Sequence, residues 1–190
     1  MEEKLKKILL AVARDAIAYY LKNGKKIAIS RTDFPISKLW ENRATFVTLT
    51  INGQLRGCIG SIIPVRPLIL DVSDNAVNAA FRDPRFYPLT EREFPLINIE
   101  ISILTVPKAL KFHSPSEMLS KIRPGVDGVI IKKGFYQATF LPQVWEELPD
   151  KESFFSHLCL KAGLSSDCFR REGLEVFTYQ VEAFSEEDFK

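Results

Sequence analysis

From Glu2 to Asn23 apolar residues return every three or four positions, at Leu5, Ile8, Leu9, Val12, Ala16 and Tyr19. That is the period of a helix buried along one stripe, and Gly24 supplies its stop. At Ala44 the period changes. The run "ATFVTLTI" is β-branched and aromatic, and it meets "QLRGCIG" across Asn52-Gly53, the strongest short hairpin signal. A regular two-residue hairpin pairs Ile51 with Gln54, Leu49 with Arg56 and Val47 with Cys58. It puts Arg56 and Cys58 on one face, their α-carbons about 6.5 to 7 Å apart, and Gly57 and Ile59 on the other with Thr48 and Phe46.

A second helix is predicted from Arg66 or Pro67 to Phe81, with Leu68, Val72, Ala76 and Ala79 as its buried stripe and Asn75 on its margin. The stretch "RDPRFYP" ends it, because Pro84 drives Asp83 out of helical geometry and Pro88 stiffens the end of the loop. Thr90 with Glu93, and Ser114 with Glu117, read as capping boxes of two short helices around the alternating strand "INIEISIL". Beyond them "GVIIKK" and "GFYQATFL" form a hairpin through Lys133-Gly134. "PQVWEEL" opens a helix, "SFFSHLCLKAGL" is a short helix closed by Gly163, and "LEVFTYQVEAF" is the last strand. Antiparallel strands mixed with helices, without regular strand-helix-strand alternation, predict an α+β fold: an antiparallel sheet with flanking helices.

Composition narrows the function classes. A chain of 190 residues buries roughly 70% of its unfolded surface, enough for a proper core without staples. With 26 basic and 24 acidic residues, the net charge of +2 gives no strong reason to expect nucleic acid or an anionic membrane as partner. The run "ILLAVA" is broken by Arg14 and Asp15, too short for a bilayer span and without a signal cleavage site, which points to the cytoplasm. Cys58, Cys159 and Cys168 make an odd count with no C-x-x-C pair, an argument against a disulfide framework and a zinc ribbon. With His113 and His157 the only histidines, no dedicated metal site is expected, and no glycine loop of nucleotide-binding type is present, so the cofactor is left unknown.

The strings "LRGCIGSI" at Leu55–Ile62, "DNAVNAAFRDPRFYPL" at Asp74–Leu89, "TFLPQVWEE" and "FFSHLCLKAGL" together resemble the AMMECR domain family, whose microbial members are called AmmeMemoRadiSam system protein A. The resemblance covers nearly the whole chain, with Ser61 standing where some relatives have threonine. It implies one domain over residues 1–190 built as two lobes, with the cysteine motif near a groove between them. It also implies association with a Memo-type protein and a radical S-adenosylmethionine enzyme. It does not imply a reaction.

Each candidate residue therefore has two readings. Cys58 is a nucleophile, with Arg56 favouring its thiolate and Gly57 and Gly60 leaving room for a substrate, or it is a buried structural thiol. An arginine on an apolar strand face needs a partner: Asp83 forms a salt bridge with Arg56, or Arg56 and Arg85 together grip a carboxylate or phosphate. Asn75 satisfies backbone of the hairpin or contacts a ligand. His157 serves Cys58 as base with Asp83 as orienter, or is an ordinary helical histidine. Two functions are compatible with these readings. One is an enzyme or enzyme subunit using Cys58 on an anionic substrate in acyl, alkyl or related group transfer. The other is a binding or scaffold protein that recognises a peptide, a metabolite or a protein partner.

Overall fold

The computed structural model describes residues 1–190 and divides into two compact units, Met1–Leu104 with Glu182–Lys190, and Thr105–Val181. The first unit contains α1 (Glu3–Asn23), β1 (Ala44–Ile51), β2 (Gln54–Gly60), α2 (Leu68–Phe81), β3 (Ile97–Leu104) and most of β8 (Val181–Ser185), with strand order β2-β1-β3-β8. β1 runs antiparallel to both β2 and β3. Alternation gives the sheet one apolar face, on which Val47, Leu49, Ile99 and Ile101 are fully buried in one cluster with Leu9 and Ile17 of α1 and Ile69 and Val72 of α2. Each such side chain contributes about 1.5 to 3 kcal/mol by leaving water. Both helices end close to where their periodicity predicts, and α1 stops at Gly24 in a left-handed cap, φ 65°.

The hairpin turn forms at Asn52 and Gly53, with φ of 51° and 75°. Its register differs from the regular one. Ile51 pairs with Gln54 and Thr50 with Leu55, but Leu49 then pairs with Gly57 and Thr48 with Cys58, so Arg56 is the extra residue of a β-bulge. The physical reason lies in the core. A regular register would set Arg56 opposite fully buried Leu49, and the bulge keeps that charge out of the apolar interior. Every later residue of β2 changes face as a result. Gly57 now faces the helices, and Cys58 lies on the opposite face beside Thr48.

The second unit contains β4 (Lys108–Ala109), α3 (Pro115–Lys121), β5 (Gly128–Lys133), β6 (Tyr136–Phe140), α4 (Lys151–Lys161) and β7 (Glu175–Tyr179), with strand order β4-β7-β5-β6. Its core stacks Trp145 on Phe154, ring centroids 3.6 Å apart, above Val129, Ile131 and Leu158. Four expectations need correction here and in the first unit. The β5–β6 turn is centred on Gly134-Phe135, since Lys133 still pairs with Tyr136. The final apolar run is two strands in different sheets, β7 and β8. Thr90 and Glu93 form their reciprocal bonds but lead only into a short 3-10 turn at Phe94–Leu96, and "PQVWE" is likewise a 3-10 turn, whereas Ser114 does cap α3. Finally, Cys159 and Cys168 form a disulfide, buried among Phe155 and Phe169. The odd count concealed it, because one bridge leaves one thiol, Cys58. No helix is long and apolar enough to cross a membrane.

Gly57 fixes how closely α2 approaches β2: a β-carbon there would lie 2.1 Å from the Ala79 carbonyl oxygen. Gly57→Ala is therefore expected to cost about 3 kcal/mol or more of stability, because backbone rather than a flexible side chain must yield, as urea denaturation would measure.

Candidate functional site

β2 is an edge strand, and an edge leaves backbone groups unpaired. At Cys58 the loop after α2 covers them. The Cys58 N–H donates to Asp83 Oδ2 at 2.9 Å, and Arg85 Nη2 reaches the Cys58 carbonyl at 3.5 Å. Arg85 also grips Asp83 through Nε and Nη2 at 3.0 and 2.8 Å. Asp83 is buried, and the Arg85 guanidinium, helped by the Cys58 and Arg85 amides, holds its carboxyl well below the usual range against the effect of burial. Pro84 makes this possible by turning the chain so that Asp83 and Arg85 both face β2.

Arg56 has a different partner from the expected one. Displaced by the bulge, it donates through Nε and Nη2 to Glu93 at 2.8 and 3.1 Å and through Nη2 to the Tyr87 carbonyl at 2.9 Å. Glu93 is held down to about 2, first by Arg56 and then by the Thr90 amide and hydroxyl. Arg56 and Arg85 flank the Phe86 ring at 5.8 and 5.6 Å from its centroid. With Tyr87, Pro88, Thr90 and Glu93 they line a depression of about 380 Å³. Each guanidinium keeps one uncommitted nitrogen, and Nη1 of Arg56 is buried without a partner.

On the sheet face away from the helices, Cys58, Thr48 and Glu100 form one row, because Thr48 is the register partner of both. The Thr48 hydroxyl donates to Cys58 Sγ at 3.3 Å. Burial pushes the Cys58 thiol up, opposed by the Thr48 hydrogen bond and the nearby Arg85 charge and reinforced by Asp83 and Glu100. Burial also raises the Glu100 carboxyl, with Asp188 adding to the effect.

The space above both glycines is occupied by the chain itself: at Gly57 by the Ala79 carbonyl, and at Gly60 by the Phe46 ring, 2.2 Å from a built β-carbon. Neither leaves a gap for a ligand. Asn75 donates to the Thr45 carbonyl, the Thr45 hydroxyl and Asp71. His157 is exposed on α4 in the second unit, its Nδ1 2.8 Å from the Ser153 carbonyl of its own helix. Sequence reasoning missed Asp71, a fully buried carboxylate that accepts from Thr45, Ser61, Arg66 and Asn75 and ties α2 to the hairpin. Its place four positions before Asn75 on one helix face was the available signal. Glu93, Thr48 and Glu100 were missed because each enters the site through a strand register or a bulge. No three His, Cys, Asp or Glu side chains converge as metal ligands would.

The chain as a whole has close relatives among known proteins. The chain belongs to the AMMECR1 family, which it matches over residues 10–184. It is 44% identical over 177 residues to a protein of Methanocaldococcus jannaschii, covering 92% of this chain and 86% of that one. It is 41% identical over 180 residues to a protein of Methanothermobacter thermautotrophicus, covering 94% and 93%. The crystal structure of an uncharacterized protein from Pyrococcus horikoshii superposes with a TM-score of 0.89 at 37% identity, covering 98% of this chain and 94% of that one.

The Arg56–Glu93 pair gives a pH prediction. Because the folded carboxyl is depressed, its contribution is fully present above the unfolded value near 4.3 and is lost as pH falls toward about 2. In urea titrations across pH 2 to 7, Glu93→Gln should be less stable than the parent at neutral pH, and the gap should close on the acid side.

Proposed function

We propose that this chain is an enzyme or enzyme subunit in which Cys58 is the nucleophile and Arg85, with Arg56 in the wall of the same depression, receives an anionic group of the substrate. The observation that carries this reading is the double placement of Arg85. Its half-exposed guanidinium lines the depression beside Phe86 and Tyr87, and it also binds the Cys58 carbonyl and favours the thiolate. One cation thus serves both an anion and the single free thiol. Group transfer fits: the thiolate would form a bond to an electrophilic carbon while the leaving group departs with its electron pair. The reading includes a cytoplasmic setting and the Memo-type and radical S-adenosylmethionine partners that the family resemblance implies.

A second reading, a non-catalytic recognition site for a peptide, metabolite or protein, is favoured by two facts. Burial raises the thiol, and both arginines already hold a carboxylate.

The readings separate with two small electrophiles. Iodoacetate and iodoacetamide would be reacted with the native, oxidised protein, in which Cys58 is the only free thiol. The enzyme reading expects the iodoacetate-to-iodoacetamide rate ratio at Cys58 to exceed that of a free cysteine by about tenfold, a 1.4 kcal/mol preference for the anion. Arg85→Gln should abolish the preference. A ratio at or below that of free cysteine would favour the recognition site.

A further inference from the structure

Most polar groups in the wall of the depression around Phe86 are already engaged. Both Glu93 oxygens accept from Arg56, and Oε2 also takes the amide and the hydroxyl of Thr90. Arg56 uses Nε and Nη2 on Glu93 and the Tyr87 carbonyl, and its Nη1 is buried. Two groups of the wall remain open. One is the half-exposed Arg85 guanidinium, whose anchor to Asp83 runs through Nε and Nη2 and leaves Nη1 uncommitted. The other is Tyr87, which is 90% exposed, so its ring leans on almost nothing of its own chain. Resting on the reading of this depression as the anion-binding part of the site, we propose that its ligand is an aryl anion. A planar ring bearing a carboxylate or a phosphate would set its charge on Arg85 and stack its ring on Tyr87.

Exposure alone carries nothing, since Phe135 is fully exposed too, at the tip of the β5–β6 turn. Tyr87 differs in how its backbone is held. Pro84 and Pro88 restrict the loop on either side. The Phe86 N–H donates to the Asp83 carbonyl at 3.1 Å, the Tyr87 carbonyl accepts from Arg56 Nη2 at 2.9 Å, and the Leu89 N–H donates to the Ala80 carbonyl at 2.8 Å. The loop is therefore fixed before anything binds. Only the side-chain angles of Tyr87 need ordering, which keeps the entropic cost of stacking small. Arg85 and Tyr87 are two residues apart, so their α-carbons lie no more than about 7 Å from each other, and a ring with a directly attached anion can reach both. A guanidinium pairs with an anion and also stacks on rings, as Arg85 already does beside Phe86 at 5.6 Å from its centroid. The depression of about 380 Å³ has room for such a molecule.

The test is an NMR titration of the native protein with benzoate and phenyl phosphate. Acetate and inorganic phosphate serve as the same anions without the ring, and cyclohexanecarboxylate as a ring that is not planar. The aryl anions are expected to bind about fivefold to tenfold more tightly than acetate and inorganic phosphate, and benzoate to exceed cyclohexanecarboxylate by about threefold or more. A gain for only one of the two aryl anions would identify carboxylate or phosphate as the charge of the ligand. Tyr87→Leu should remove the advantage of the ring while leaving acetate binding unchanged, Tyr87→Phe should keep it, and Arg85→Gln should weaken every probe. Because Tyr87 is exposed, its replacement does not endanger the fold. If acetate and inorganic phosphate bind through Arg85 but the ring adds nothing, or if cyclohexanecarboxylate matches benzoate, or if Tyr87→Leu keeps the advantage, the aryl ligand is wrong and the anion-binding reading stands. If no probe binds, both fall.

Discussion

Asp83 is the residue on which the site depends. Its carboxylate accepts the amide of Cys58, the amide of Arg85 and two nitrogens of the Arg85 guanidinium. A buried charge of this kind is stable only when its lone pairs are filled, and here they are filled by the groups that define the site. The same contacts close the exposed edge of β2, hold the end of α2 against that strand and place a cation beside the thiol. Gly57 complements the clamp from the helix side, by letting the Ala79 carbonyl approach where any side chain would collide.

Much of the fold was legible because it depends on local chemistry. Helical periodicity and Gly24 delimited α1, Pro67 and Pro84 bracketed α2, and Asn52-Gly53 located the hairpin. The features that were not legible arise from non-local balance. The bulge at Arg56 forms because Leu49 lies in the core, and strand alternation alone does not reveal which face the helices will cover. One inserted residue then exchanged the faces of Gly57 and Cys58, gave Cys58 a threonine neighbour in place of Val47, and sent Arg56 to Glu93 rather than Asp83. The split of the last apolar run into β7 and β8 and the Cys159–Cys168 bridge were hidden for the same reason, since both are settled by tertiary pairing.

The site that results is an arrangement of opposed effects. Burial disfavours the Cys58 thiolate, while Thr48 and Arg85 favour it; burial is the largest of these effects, so the neutral thiol is favoured at rest. Such a resting state protects a thiol from oxidation, which proceeds through the thiolate. The two arginines are neutralised at rest by Asp83 and Glu93; Nη1 of Arg56 is buried, so on the proposed reading it is the half-exposed Arg85 guanidinium that meets an incoming anion without leaving its anchor. On the proposed reading, the AMMECR1 fold thereby brings an anion-binding depression and a nucleophile to one strand segment, joined through Arg85.

The most direct measurement of this account is the carbon-13 NMR signal of the Cys58 β-carbon across pH in the native protein. The account predicts a reversible titration while the fold persists, with a midpoint above the ordinary thiol value of about 8.5, and oxidised Cys159 and Cys168 signals that do not move. A Cys58 signal that stays fixed until the protein unfolds would contradict it, because the thiol would then be a structural part of the sheet.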